Sequence, residues 1–152
     1  MDPALRQTLL TVAAFMRGAR DDWWIIASAA MALHGASPID MADVDLLVSE
    51  RDGHALLGTL GLPFVLPIAT DRFRSALFAR WDGALVPVEI MAGFHVRTGD
   101  VWRPVVPTTR IAIPISDFTL FVPSIDELIA HCRLYGRPKD VQRAAILQRL
   151  RP

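Results

Sequence analysis

The sequence has few residues that form disulfides or bind soft metal ions, and it has no excess charge of either sign. Cys132 is the single cysteine, which excludes an intrachain disulfide and a cysteine-based zinc site. Sixteen basic residues balance sixteen acidic ones, so the chain has no net positive field to hold nucleic acid nonspecifically. His54 and His95 lack partners at metal spacing, and the chain contains no P-loop, G-x-G-x-x-G or H-E-x-x-H motif.

Length and hydropathy are those of a globular domain. A chain of 152 residues predicts one domain over residues 1–152, with C-terminal helices at about 124–150. Hydrophobic residues make up 52%, which predicts a well-filled core or an apolar surface that meets a partner. No apolar run is long enough to span a bilayer, and the first ten residues, MDPALRQTLL, lack a signal-peptide pattern. We therefore expect a cytoplasmic protein without a membrane partner.

The hydrophobic pattern predicts an α+β fold, with helices packed on a mixed, mostly antiparallel sheet. Helices are predicted at residues 3–18, 28–34, 51–60, 124–135 and 138–150. Strands are predicted at residues 23–27, 44–48, 73–81, 85–91, 110–115 and 118–122, with a further short strand at 64–67. Asp82-Gly83 predicts a hairpin turn, Ser124 and Glu127 predict a helix capping box, and residues 94–106 are expected to be irregular with room for one strand.

Two aspartates begin the second predicted strand. Asp43 and Asp45 are separated by one residue, so their side chains share a face of the strand, roughly 7 Å apart. Neighbouring carboxylates raise each other's pKa, and a cation between them relieves the repulsion. Oxygen ligands of this kind suit Mg²⁺, which proteins hold with one or two carboxylates plus substrate phosphates. The alternative is a pair of ordinary acids at the start of a strand.

A helix start lies shortly before these acids. Ser28 follows an apolar run and begins a helical pattern that ends at Gly35. Its hydroxyl is expected to cap the helix. Free backbone N–H groups at a helix N-terminus form an anion site. A helix start that binds phosphate, followed by two metal-binding carboxylates, predicts a site for a nucleotide and its metal.

This order of motifs resembles the nucleotidyltransferase superfamily that includes DNA polymerase beta and the kanamycin and lincosamide nucleotidyltransferases. Ala27-Ser28 stands at the family's Gly-Ser pair, Asp43 and Asp45 stand at its paired acids, and Glu89 in VPVEIM stands at its third acid. The C-terminal run VPSIDELIAHCRLYGRPKD is similar to the tail of small bacterial members related to abortive-infection nucleotidyltransferase toxins. The resemblance implies a nucleotidyltransferase fold over most of the chain.

Glu89 has two interpretations. It alternates with Val88 and Ile90 and therefore faces away from that apolar set, so it could be an ordinary solvent-facing residue. The resemblance instead places it beside Asp43 and Asp45, where it would complete a carboxylate triad able to hold two metal ions, or act as the base for the acceptor hydroxyl.

Arg137 and Lys139 also have two interpretations. They lie between the last two predicted helices, where basic residues stabilise the preceding helix dipole. The resemblance implies that Lys139, together with Arg137, lies over the nucleotide phosphates and offsets charge in the transition state.

The chain departs from the family pattern at three positions. Ala27 replaces a glycine that allows phosphate to approach the backbone closely. Cys132 stands where relatives often have a lysine, and Arg143 stands where they often have an aspartate. All three acids are retained, whereas the phosphate-binding side is altered.

The resemblance implies a Mg²⁺-dependent nucleotidyltransferase that moves a nucleoside monophosphate from an NTP to a hydroxyl or phosphate. The acceptor is left open among a small molecule such as an antibiotic, a tRNA and a protein side chain. The site residues implied are Asp43, Asp45 and Glu89 for metal and catalysis, and Ser28, Lys139 and Arg137 for the nucleotide. A homodimer or a partner subunit could complete so short a chain. The alternatives are a degenerate member that acts by binding nucleotide or a partner, as in a toxin–antitoxin pair, and an unrelated α+β domain.

Overall fold

Helices and mostly antiparallel strands make up the chain, as the hydrophobic pattern predicts. The computed structural model describes residues 1–63 and 68–152, so the strand predicted at 64–67 lies outside the described residues. The helices are α1 (Pro3–Met16), α2 (Ala27–Leu33), α3 (Glu50–Leu60), α4 (Ile125–Tyr135) and α5 (Pro138–Gln148). The strands are β1 (Trp24–Ile26), β2 (Val44–Leu47), β3 (Ile68–Ala69), β4 (Phe73–Ser75), β5 (Leu77–Trp81), β6 (Val88–Ala92), β7 (His95–Thr98), β8 (Val101–Pro104), β9 (Ile111–Ile115) and β10 (Phe118–Val122).

The central sheet carries the predicted acids. Its strand order is β1-β2-β6-β5, in which β2 and β6 are parallel and the other two pairs are antiparallel. Val44, Leu46, Val88 and Ile90 point into the main core, which they share with apolar side chains of α1. Because side chains alternate along a strand, the residues between them lie on the opposite face. That face is partly covered by a smaller apolar cluster: Trp24, Ile26, Leu47 and Met91.

The strand predicted over residues 73–81 is two strands in two sheets. β5 pairs with β6 in the central sheet, whereas β4 pairs with β7 in a sheet of order β3-β4-β7-β8. The break falls at Ala76, opposite Gly93. A Cβ on Gly93 would lie 2.8 Å from the Cβ of Ala76, and Gly93 has φ +63°, so glycine suits this bend on both counts. Both arms of the long hairpin bend here and pass from one sheet to the next.

Two turns differ from the predictions. Asp82-Gly83 does lie between β5 and β6, but the connection covers residues 82–87 and the first pair beyond it is Trp81 with Val88. Residues 94–106, expected to be irregular with room for one strand, contain the β7–β8 hairpin. Gly99 in its turn has φ +61°, a conformation that favours glycine.

The helix ends follow local signals, with two exceptions. Ser49 caps α3 and Gly61 ends it in a left-handed conformation. Ser124 caps α4 by accepting from the Glu127 N–H, but the Glu127 carboxylate instead accepts from Thr108 and Thr109, so only half of the predicted capping box forms. The second exception is Ser28, which does not cap α2. In the part of the chain that the structure describes, no helix is long and apolar enough to cross a membrane.

Candidate active site

Asp43, Asp45 and Glu89 converge at the edge where β2 and β6 begin. Asp45 and Glu89 are paired in the parallel register, and Asp43 lies two residues before Asp45, on the same face. The backbone N–H of Val44 donates to the Pro87 carbonyl at 2.8 Å and fixes this register at the strand ends. Carboxylate oxygens of the three acids all lie within 4.8 Å of one another. All three side chains are half-buried.

The carboxylates destabilise each other's charged forms. Burial, followed by repulsion from Asp43 and from Glu89, raises the pKa of Asp45 to about 8. Burial and the charge of Asp43 also raise the pKa of Glu89, although Arg80 opposes that shift. A bound cation would relieve this repulsion between the carboxylates.

Arg80 lies beside the triad and was missed by sequence reasoning. It is the antiparallel partner of Glu89 on β5, so Asp45, Glu89 and Arg80 form one row across three strands. Its Nη1 atom lies 3.5 Å from Glu89 Oε1 and 4.0 Å from Asp43 Oδ2. Its Nε donates to Asp82 Oδ1 at 3.1 Å. A two-residue turn at Asp82-Gly83 would have paired Glu89 with another residue, so the sequence signal pointed to the wrong register.

The triad lies in a cleft of about 700 Å³. Every residue predicted to bind metal or nucleotide lines this cleft: Ser28, Asp43, Asp45, Glu89, Arg137 and Lys139. They come from four places in the chain, namely the start of α2, the start of β2, β6 and the start of α5. Glu89 is therefore not the solvent-facing residue of the alternative interpretation.

The start of α2 differs from the prediction. The helix begins at Ala27 rather than Ser28, and the residue at its N-cap is Ile26, which has no capping side chain. Ser28 is thus inside the first turn, buried, and does not cap the helix. Ala27 has φ +55°, in the region that favours glycine. The position at which the family has glycine therefore has a glycine-like backbone here, although alanine occupies it.

Arg137 has a structural role in addition to lining the cleft. Its guanidinium donates to both carboxylate oxygens of Asp140, at 2.6 and 3.1 Å, and its backbone N–H donates to the same carboxylate. Asp140 is only 1% exposed, so this ion pair is needed to compensate a buried charge. Lys139, by contrast, is exposed and makes no ion pair with any described residue.

Cys132 and Arg143, two positions that depart from the family pattern, differ in location: Arg143 lines the cleft, and Cys132 does not. Cys132 is buried in the core, and burial raises the pKa of its thiol to about 11, so it is an inert packing residue. Arg143 lines the cleft, and its positive charge opposes the rise in the pKa of Asp45. Its Nη2 donates to the Asp40 carbonyl at 3.4 Å. Sequence reasoning marked Arg143 as a departure but gave it no role.

Three aromatic rings also line the cleft. Phe73 and Phe94 stack with centroids 5.6 Å apart, and Tyr135 packs edge-on against Phe73 at 5.3 Å. All three residues line the cleft. Phe73 lies on β4 and Phe94 lies between the bend at Gly93 and β7, whereas Tyr135 is the last residue of α4.

The donor set fits a hard divalent cation. The triad offers carboxylate oxygens alone, which suit Mg²⁺ rather than zinc or copper. Ligands on opposite sides of one Mg²⁺ lie about 4.2 Å apart, since each bond is about 2.1 Å long. Adjacent ligands of an octahedral ion lie about 3 Å apart. The triad, whose oxygens lie within 4.8 Å of one another, would therefore close by up to about 2 Å around one ion.

Comparison with known proteins supports the fold. No protein-family model matches the chain, and no curated protein matches it in sequence. A structure assigned as a nucleotidyltransferase from Thermotoga maritima is similar to it, with a TM-score of 0.73 and 19% identity over 99% of this chain and 96% of that one. The antibiotic-resistance factor ANT(2″)-Ia has a TM-score of 0.59 at 12% identity, over 97% of this chain and 84% of its own.

A third similar structure is an antigenic nucleotidyltransferase-like protein from Paracoccidioides brasiliensis, with a TM-score of 0.58 and 16% identity, over 97% of this chain and 76% of that chain. Identities this low establish the fold alone. The chain therefore has the fold of the nucleotidyltransferase superfamily, and the resemblance read from its motifs is confirmed at that level.

Proposed function

We propose that this protein is a cytoplasmic, Mg²⁺-dependent nucleotidyltransferase that moves a nucleoside monophosphate from an NTP to a hydroxyl or phosphate acceptor. One observation carries the proposal: three carboxylates from two parallel strands lie within 4.8 Å of one another in a cleft of a nucleotidyltransferase fold. Neighbouring half-buried carboxylates repel one another, and a cation bound between them would relieve that repulsion.

In this proposal Asp43, Asp45 and Glu89 hold the metal. Mg²⁺ bound by them supplies Lewis-acid polarisation of the α-phosphate and offsets the charge of the leaving pyrophosphate. Glu89 is the third ligand or the base that takes the acceptor's proton; its place at the parallel register position next to Asp45 suits either role.

The reaction is an in-line displacement at the α-phosphorus. The acceptor oxygen forms a bond to that phosphorus while the bond to the bridging oxygen of the β-phosphate breaks. The bonding pair leaves with pyrophosphate, and the acceptor's proton passes to Glu89 or to water. Little covalent chemistry falls to the protein, so positioning and charge compensation make up most of the catalysis.

Three further residues bind the triphosphate in this proposal. Ser28 is buried in the first turn of α2 and lines the cleft. Lys139 is exposed at the start of α5 and is not committed to an ion pair with any described residue, which suits a mobile phosphate ligand. Arg137 contributes less directly, because its guanidinium is already bound to Asp140.

The acceptor stays open among a small molecule, a tRNA and a protein side chain. The structure of ANT(2″)-Ia in complex with adenylyl-2″-tobramycin, with a TM-score of 0.57, is of an aminoglycoside-bound protein with this fold. That makes an aminoglycoside one class to test. A second copy of the chain or a partner subunit could complete the acceptor side.

A second candidate is a binding-only descendant, for example in a toxin–antitoxin pair. Ala27 favours it, because this residue adds a methyl group and a strained positive φ where phosphate would approach the backbone. Arg143 at a position that is often acidic in relatives favours it as well. The intact triad favours the enzyme.

Transfer of label from α-³²P NTPs distinguishes the two candidates. Each NTP is incubated with Mg²⁺ and with aminoglycosides, bulk tRNA or a protein lysate, and products and pyrophosphate are measured. The enzyme proposal expects label on one acceptor class, and at least a hundredfold less transfer with Glu89→Gln. Nucleotide binding without transfer to any class would favour the binding-only descendant.

A further inference from the structure

Arg80 stands at one end of the carboxylate triad. Its Nη1 atom lies 3.5 Å from a Glu89 oxygen and 4.0 Å from an Asp43 oxygen. Its Nε atom donates to Asp82 Oδ1 at 3.1 Å. The guanidinium is therefore placed between an anchoring carboxylate and two carboxylates of the site.

At the other end of the triad, the charge of Arg143 acts on Asp45 from more than 4.0 Å away. Among the described residues, none makes an ion pair with Asp45, whereas Asp43 and Glu89 both face Arg80. Asp45 pairs with Ile26 on the side of β2 that faces away from Glu89 and Arg80. The triad is thus asymmetric: Arg80 lies within 4.0 Å of both Asp43 and Glu89, whereas no described cation lies that close to Asp45.

We propose that Arg80 takes the place of one divalent ion, so that the triad binds a single metal ion, at the Asp43–Asp45 edge. This inference rests on the proposed function. In two-metal sites the ions lie about 3.5–4 Å apart. A second ion bound at the Asp43–Glu89 edge would lie close to the Arg80 guanidinium and would be repelled by its charge. Arg80 acts here as a positioning residue, through the carboxylates.

The register of the sheet makes this a fixed feature. Arg80 is opposite Glu89 in the antiparallel β5–β6 pair, which places the two side chains on one face about 5 Å apart at the Cβ atoms. Its side chain is 47% exposed, so replacing it removes charge without opening the core. That permits a test on folded protein.

The test counts bound metal. Mn²⁺ is titrated into the protein saturated with the α,β-methylene analogue of whichever NTP binds most tightly. Free Mn²⁺ is measured by electron paramagnetic resonance, with the nucleotide alone as blank. The variants are Arg80→Gln, which removes the charge, and Arg80→Lys, which keeps it. Arg103→Gln is the matched control, because Arg103 is a strand arginine outside the cleft, bound to Thr98.

The inference expects one Mn²⁺ per chain in the wild type, in Arg80→Lys and in Arg103→Gln. It expects two in Arg80→Gln, with the second lost again when Glu89→Gln is added. Two ions in the wild type, or one in Arg80→Gln, would overturn the inference and leave the proposed function standing. No Mn²⁺ bound by the wild type would overturn the proposed function, and this inference with it.

Discussion

At the scale of single residues, Asp45 has the least favourable environment in the candidate site. It is half-buried between two other acids, and its pKa is raised to about 8. An acid with a raised pKa in the folded state binds protons more tightly there than in the unfolded chain. It therefore costs stability progressively as pH rises from about 4 towards 8.

Asp45→Asn should stabilise the metal-free protein. The amide removes the buried charge and keeps the shape, so we expect a gain of about 1–3 kcal/mol at pH 7. That is a rise of roughly 2–12 °C in Tm for a chain of this size. The gain should be largest near pH 8–9 and small at pH 4, where Asp45 is already protonated. Differential scanning calorimetry across this pH range, with EDTA present, measures it.

An exposed acid provides the control for this experiment. Asp100→Asn, in the β7–β8 turn, should leave Tm unchanged within about 1 °C at every pH, since surface changes usually stay within about 0.5 kcal/mol. Added Mg²⁺ should raise the Tm of the wild type and not that of Asp45→Asn. If Asp45→Asn is no more stable than the wild type at pH 8, the charged carboxylate of Asp45 does not destabilise the folded protein.

Ala27 provides a second prediction at this scale. A left-handed conformation costs a non-glycine residue about 1–2 kcal/mol, and a substitution by glycine removes this cost. Part of the resulting gain in stability is lost, because glycine has greater conformational freedom in the unfolded chain. With φ +55° in the native state, Ala27→Gly should therefore stabilise the protein by about 0.5–1 kcal/mol. It should also tighten NTP binding. Urea unfolding and nucleotide titration measure the two effects.

The matched control for Ala27→Gly is a neighbour in the same helix. Ala29 is fully buried and its φ is not positive, so Ala29→Gly should destabilise the protein by about 1 kcal/mol. If both substitutions destabilise alike, the backbone of Ala27 is not the source of strain.

At the scale of elements, the start of α5 has a cation in a buried ion pair, Arg137, and two residues later the cation proposed to bind phosphate, Lys139. Arg137→Gln leaves the buried Asp140 carboxylate unpaired and should cost about 2–3 kcal/mol in urea unfolding. Lys139→Gln removes the same charge from an exposed position and should change stability by less than about 0.5 kcal/mol while weakening NTP binding severalfold. Equal losses of stability in the two variants would contradict this division of roles.

Elements with a local signal could be predicted from the sequence. The α+β pattern and the side-chain alternation of β2 and β6 follow from hydrophobic period. Two features could not be read locally. The division of residues 73–81 between two sheets depends on contact between Ala76 and Gly93, which are distant in sequence. The role of Arg80 depends on a six-residue connection that sets the β5–β6 register.

At the scale of the whole molecule, the site depends on long-range pairing. Asp45 and Glu89 are neighbours only because β2 and β6 pair in parallel, across a crossover that includes α3, β4 and β5. The resemblance predicted that these acids would meet, and the residue pattern alone left Glu89 undecided. The prediction that Ser28 caps α2 was wrong, because the helix begins one residue earlier, at Ala27, which has a positive φ.

The central claim is that the triad binds a nucleotide through Mg²⁺. The most direct measurement is calorimetric titration of ATP, CTP, GTP and UTP with Mg²⁺, into the wild type and into Asp43→Asn/Asp45→Asn. The account predicts Mg²⁺-dependent binding of at least one NTP by the wild type and its loss in the double variant. Absence of Mg²⁺-dependent binding by the wild type, or equal binding by the double variant, would contradict it.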